Sequence, residues 1–279
     1  MKNLKKIKLI MGMLVLTPLI SCSNSNSSNA SNAENNTTGA GTSATATTAK
    51  ESSATAAALG KAKKEGNAVF LVITGTGATT IKSAVDVANE AKTLVKKSVV
   101  VQMNRDDAAN SALVAEFGVG TVAVPFILVI SHNGVPVAGL PSNQATGGML
   151  MKSVPSPKQD DVLLAINQKK PVIIVVSKKS FTDKATILEN CKTATTKLTS
   201  KPVTVEIDMN DVNEKAFLTQ VNAATSTNGK SITIVISAAG QINETFTETP
   251  TAEKIITAVK KVAKSGGCAP GACGSNKKC

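Results

Sequence analysis

Two stretches of the chain read as almost unbroken apolar runs, Val69-Phe70-Leu71-Val72-Ile73-Thr74 and Val172-Ile173-Ile174-Val175-Val176-Ser177. Runs of this length, rich in β-branched residues and without polar alternation, predict strands buried on both faces in a sheet covered by helices. The match continues downstream. Residues 98–117 align with 202–221, and Val129-Ile130-Ser131 with Val235-Ile236-Ser237, at an offset that grows slightly along the chain. A long repeat with slow drift fits duplication followed by small loop insertions. Each copy predicts the order helix, strand, helix, strand, helix, two strands and a helix. After the first strand, Ile81, Val85, Ala88, Ala91 and Val95 recur at helical spacing, and Asp107 and Asp211 are placed to cap the next helix. Cys191 falls with Ile187, Ala194 and Leu198 on one predicted apolar face, where a cysteine acts as a small, inert hydrophobe. His132-Asn133-Gly134 predicts a tight turn between two antiparallel strands. A parallel crossover followed by a hairpin gives an α/β unit with a mixed four- to five-stranded sheet. The repeat places one unit at 52–153 and the other at 158–265.

The segments outside the repeat have a different pattern. Residues 1–8 are basic and residues 9–20 apolar, a run shorter than the about 20 residues a membrane-spanning helix needs, so an export signal is predicted. The sequence Leu19-Ile20-Ser21-Cys22 resembles the lipobox of bacterial lipoproteins. That resemblance implies a signal peptide over 1–21, lipid acylation of Cys22 as the mature N-terminus, and anchoring of the chain to membrane lipid. Ser23, standing where Asp would retain such a protein in the inner membrane, implies the outer membrane in a cell that has two. Residues 22–51, dominated by Ser, Asn, Thr, Ala and Gly, show no apolar periodicity and predict a disordered tether.

Composition narrows the function classes. Aromatic residues make up 2% of the chain, with no Trp or Tyr, which disfavours a stacking platform for nucleic acid. Part of the net charge of +12 sits at Lys2, Lys5, Lys6 and Lys8, in the predicted signal. His132 is the single histidine, which rules out a paired-histidine metal site and disfavours a Ser-His-Asp hydrolase; on a hairpin turn it is expected to be solvated. The acidic pairs Asp106-Asp107 and Asp160-Asp161 lie near predicted helix starts, where carboxylates complement the helix dipole, and are expected to cap.

The order of elements, together with the stretch from Gly118 through Val124-Pro125-Phe126 to Gly134, resembles the thioredoxin superfamily, with Pro125 at the family's cis-proline. The second copy resembles it more weakly, because Ser231 stands where the second proline would be. The resemblance implies tandem thioredoxin-like domains, and backbone at Val124 and Pro125 that serves either as a peptide-binding edge or as scaffold only. The family's Cys-x-x-Cys, whose thiolate is stabilised by a helix N-terminus, is missing from both copies. Its place reads Gly75-Thr76-Gly77-Ala78-Thr79-Thr80 in the first and Lys178-Lys179-Ser180-Phe181-Thr182-Asp183 in the second. Gly75 and Gly77 lack the third glycine of a dinucleotide-binding loop and predict a tight connection.

Chemistry is left to the end of the chain. Residues 266–279 hold Cys268, Cys273 and Cys279 among glycines and lysines. Three readings stay open for this predicted flexible tail: a disulfide with a third thiol able to attack it, a soft-metal site for Cu(I) or Zn, or an inert end. The sequence therefore predicts an exported lipoprotein presenting two non-catalytic units as a binding or scaffold module for an envelope protein, with a redox or metal-handling tail as the alternative. Nucleic acid is not expected as a partner.

Overall fold

The computed structural model of the protein describes residues 53–226 and 228–261. Cys22, the tether, and Cys268, Cys273 and Cys279 lie outside the described residues. In the first unit the elements are α1 (Ala54–Lys64), β1 (Ala68–Thr74), α2 (Ile81–Leu94), β2 (Ser98–Asn104), α3 (Ser111–Phe117), β3 (Phe126–Ile130), β4 (Pro136–Pro141) and α4 (Gly147–Ser153). The second unit repeats them as α5 (Pro157–Asn167), β5 (Val172–Ser177), α6 (Lys184–Lys197), β6 (Val203–Asp208), α7 (Lys215–Gln220), β7 (Ile232–Ile236), β8 (Ile242–Phe246) and α8 (Ala252–Lys260).

Each sheet has four strands, in the orders β2-β1-β3-β4 and β6-β5-β7-β8. β1 and β5 run parallel to β2 and β6 and antiparallel to β3 and β7. These are tandem thioredoxin-like units. The apolar runs predicted to lie between two helical layers do so: Val69, Leu71 and Ile73 join one core of the first unit, while Phe70 and Val72 join the core on the other face. In the second unit Val172, Ile174 and Val176 face one core, and Ile173 and Val175 the other. Helices on both sides bury every one of these side chains, and that is why alternation is missing from the sequence.

The hairpins carry the clearest trace of duplication. In both, the amide of a glycine at φ 80° (Gly134) or 78° (Gly240) donates to the carbonyl of a serine three residues earlier, Ser131 or Ser237. The hydroxyl of that serine accepts in turn from Val135 or Gln241, at 3.1 Å in each case. Asn133 stays at negative φ, so the turn differs from the expected pair of left-handed residues; only the glycine needs that region.

Two expectations about helix faces and caps are changed by packing, and one holds. The buried line of α2 is Ala84, Ala88 and Ala91, whereas Ile81 is 37% exposed, because small side chains let the helix lie close to the sheet and to α4. Asp107 caps a short 3-10 turn, accepting from Ala109 at 2.9 Å, as expected. Asp211 instead accepts from Asn213 within the turn before α7, and Glu214 is the N-cap residue of that helix. The Glu214 carboxylate is turned away from its own helix: it accepts from the Ser156 hydroxyl and from the Lys158 amide at 2.8 Å, capping α5 from a distance.

Cys191 is 1% exposed, packed with Ile187 and Ala194 as the spacing predicted, and burial pushes its thiol up to about 12. An exposed thiol titrates near 8.5, so alkylation of Cys191 in the folded protein is expected to be more than about a thousandfold slower than in denaturant. Mass-spectrometric labelling with and without urea checks this, and comparable rates would show that the packing of α6 is wrong.

Candidate functional site

In this architecture the loop after the first strand faces the loop before the third, and there the two units diverge. In the first unit, Thr76 donates both its amide and its hydroxyl, the latter at 2.8 Å, to Asp106 at the end of β2. Neighbouring Arg105 spans the same gap: its guanidinium donates to the Val122 carbonyl, and it pairs with Asp106 at 3.7 Å. A Cβ on Gly75 would lie 3.0 Å from Asp106 and 3.1 Å from Arg105, so the first glycine of the loop is there to admit this clasp. Asp106 was expected to cap a helix; it ties the first loop to the end of β2 instead. Its carboxyl is held below 3.8, first by the amide of Thr76 and then by its hydroxyl. A lowered folded value means that the clasp contributes at neutral pH and is lost only as pH falls through that value.

Across from this loop, the Val124–Pro125 peptide bond is cis. The Pro125 carbonyl is used internally, accepting from Ser142 at 3.1 Å. Val124 is half-buried, and among the described residues its amide and carbonyl enter no hydrogen bond. A backbone donor and acceptor side by side and unpaired are what an extended peptide needs to add itself as a strand.

The second unit has the corresponding place closed. Ser231 is fully buried at the start of β7, and its hydroxyl donates to Asp183 at 2.7 Å and lies 2.9 Å from the hydroxyl of Ser177. The Ser231 amide also donates to Asp183, at 3.0 Å. The preceding residue, Lys230, corresponds to Val124, yet its carbonyl accepts from the Ser226 hydroxyl at 2.6 Å and its amide donates to Ser226 and Asn228, both at 3.2 Å. Sequence alone located Ser231 but gave no sign of its partners, which lie 48 residues away at Asp183 and 54 away at Ser177.

Ser177 and Ser231 are buried, and among the described residues no three metal-binding side chains cluster. A groove of about 340 Å³ between α5 and the edge strand β6 is lined by Lys158, Asp161 and Glu206, whose charges are paired within 3.4 Å, Glu206 with Lys184. His132 sits half-buried on the first hairpin turn.

No family model and no curated protein matches the sequence. Among solved structures, the first two thioredoxin domains of Eps1p from Naumovozyma dairenensis match at 11% identity over 72% of this chain and 94% of that one, with a TM-score of 0.27. The zinc-bound form of human ERp44 matches at 11% identity over 71% of this chain and 55% of that one, with a TM-score of 0.32. An N-terminal domain of the alkylhydroperoxide reductase AhpF from Enterococcus faecalis matches at 12% identity over 73% and 98%, with a TM-score of 0.21. At such identities and scores no activity, substrate or partner carries over; by strand order and by the cis bond before β3 the chain is a tandem of thioredoxin-like units without a Cys-x-x-Cys in either.

Proposed function

We propose that the chain is an envelope lipoprotein, held to a membrane through acylated Cys22, in which the first unit binds an extended segment of a partner protein and the second is scaffold. The observation that carries this reading is the contrast between Val124, whose backbone is unpaired among the described residues, and Lys230, whose backbone is occupied by Ser226 and Asn228. Two edges of common origin, one open and one closed, favour a single peptide-binding edge at Val124 and Pro125. The clasp of Asp106 and Arg105 supports a binding role over a catalytic one, because it fills with hydrogen bonds the loop where a dithiol would stand.

The full chain, mixed with a pool of extended peptides and followed by amide resonances, is expected to show the Val124 amide shifting while that of Lys230 stays fixed. Shifts at Lys230 without shifts at Val124 would overturn the reading. Replacing both Ser226 and Asn228 by alanine should open the second edge and make the Lys230 amide respond as well. The anchoring half has its own check: Cys22→Ala is expected to abolish fatty-acid incorporation and release the chain from membranes. The tail thiols are separable too. With Cys268, Cys273 and Cys279 replaced by serine, binding should persist and insulin disulfides should not be reduced; lost binding would move the function to the tail.

A further inference from the structure

Asp160 was expected to cap its helix, but it does something else. It lies in the first turn of α5, in the second unit, and is 1% exposed. Its Oδ2 accepts, at 2.9 Å, the amide of Asn133 in the hairpin turn of the first unit. Its Oδ1 is buried and, among the described residues, makes no hydrogen bond of good geometry. Only residues 154–156 separate α4 from α5, so this carboxyl is placed where the two units meet at their short connection.

We propose that Asp160 is an acid-tightened latch between the two units, holding α5 against the turn of residues 131–134 when its carboxyl is protonated and loosening as the carboxyl ionises. An orphaned buried oxygen is tolerable on a neutral acid and costly on a carboxylate, since the Asn133 amide and the Ser131 hydroxyl do not make up for all the water that the charge gives up. Burial raises this carboxyl above 3.8, while the Ser131 hydroxyl, the Asn133 amide and His132 pull it down and Asp161 pushes it up. With a folded value above the unfolded one, docking is at full strength below 3.8 and is lost as pH rises through the raised value, opposite in sign to the Asp106 clasp. The other charged groups around the contact are Lys158 on α5, paired with Asp161 at 3.4 Å, Lys63 of α1, whose stem covers Gly134, and Glu214, which caps α5. His132, next to Asn133 in the same turn, is the neighbour whose charge also acts on the Asp160 carboxyl.

The test is the exchange protection of the Asn133 amide in the full chain, followed from the ordinary aspartate range up to neutral pH. For the wild type, protection corrected for intrinsic exchange is expected to fall with rising pH, by up to about tenfold per pH unit for a single proton. His132→Gln should keep that dependence. Asp160→Asn, which resembles the neutral acid, should remove it and leave protection at the acidic level throughout. A flat wild-type profile, or a dependence that survives Asp160→Asn and vanishes with His132→Gln, overturns the proposal. Carbon-13 titration of the Asp160 carboxyl in the wild type gives a readout free of any variant: a value at or below that of unfolded aspartate would also overturn it.

Discussion

Replacing Asp183 by alanine is expected to destabilise the second unit by about 3–5 kcal/mol, since a hydrogen bond to a charged acceptor contributes about 1.5–3 and an abandoned buried donor costs about 1–3. The carboxylate receives both the amide and the hydroxyl of Ser231, a residue buried completely, and no other acceptor of that amide is found among the described residues. With Asp183 gone, the Ser231 amide loses its acceptor among the described residues. The hydroxyl is better off, because it can turn to Ser177 at 2.9 Å. Asp183→Asn keeps one carbonyl acceptor and should cost roughly half as much. Ser231→Ala removes only the hydroxyl, and its effect should be strongly non-additive with Asp183→Ala because the two groups share one network. Urea unfolding followed by far-UV circular dichroism is the measurement, as the chain has no Trp or Tyr to report by fluorescence. A loss below about 1 kcal/mol would show that the network is incidental.

A comparable loss, about 3–4 kcal/mol, is expected for Ile174→Ala, from the transfer of three buried carbons and the cavity they leave. Ile174 lies midway along β5, between Val205 of β6 and Ile234 of β7, and is fully buried in the core that includes Val172, Val176 and Leu218. Strands on both sides and α5 and α7 above limit how far the site can collapse, which places the cost in the upper part of the usual range. Ile174→Val should cost about 1 kcal/mol, the deletion of one methylene. The same urea experiment reads both variants. Equal effects from the valine and alanine substitutions would mean that the core relaxes around the gap.

Both predictions come from the second unit, yet they were unequally legible in the sequence. Ile174 announced itself: six consecutive apolar or small residues in β5 can be satisfied only by a strand covered on both faces, and burial follows from the run. Asp183 was silent, a charged residue in a loop, because its role depends on a serine 48 residues away. The same division runs through the acidic residues. Asp107 behaves as local pattern predicts, since capping involves only its own backbone neighbours. Asp106, Asp160 and Glu214 have the same look in sequence, yet each satisfies a segment distant along the chain, at 30, 27 and 56 residues.

The first unit divides in the same way. Pro125 and its resemblance to a cis-proline were legible, and so was the missing dithiol, because both are matters of residue identity at a position. Whether the backbone beside that proline is open was not legible, since Val124 and Lys230 are distinguished by what Ser226 and Asn228 do in space. By itself, then, the sequence determined the duplication, the element order, the mixed sheets and the burial of Cys191, all of which follow from periodicity and short-range chemistry. Only the tertiary structure decided which polar groups meet: the clasp on the first loop, the closed second edge and the carboxyl between the units. The physical reason is range, because apolar burial is written into every residue of a strand or helix, whereas a buried hydrogen bond is a property of two groups that only the completed fold brings within 3 Å of each other.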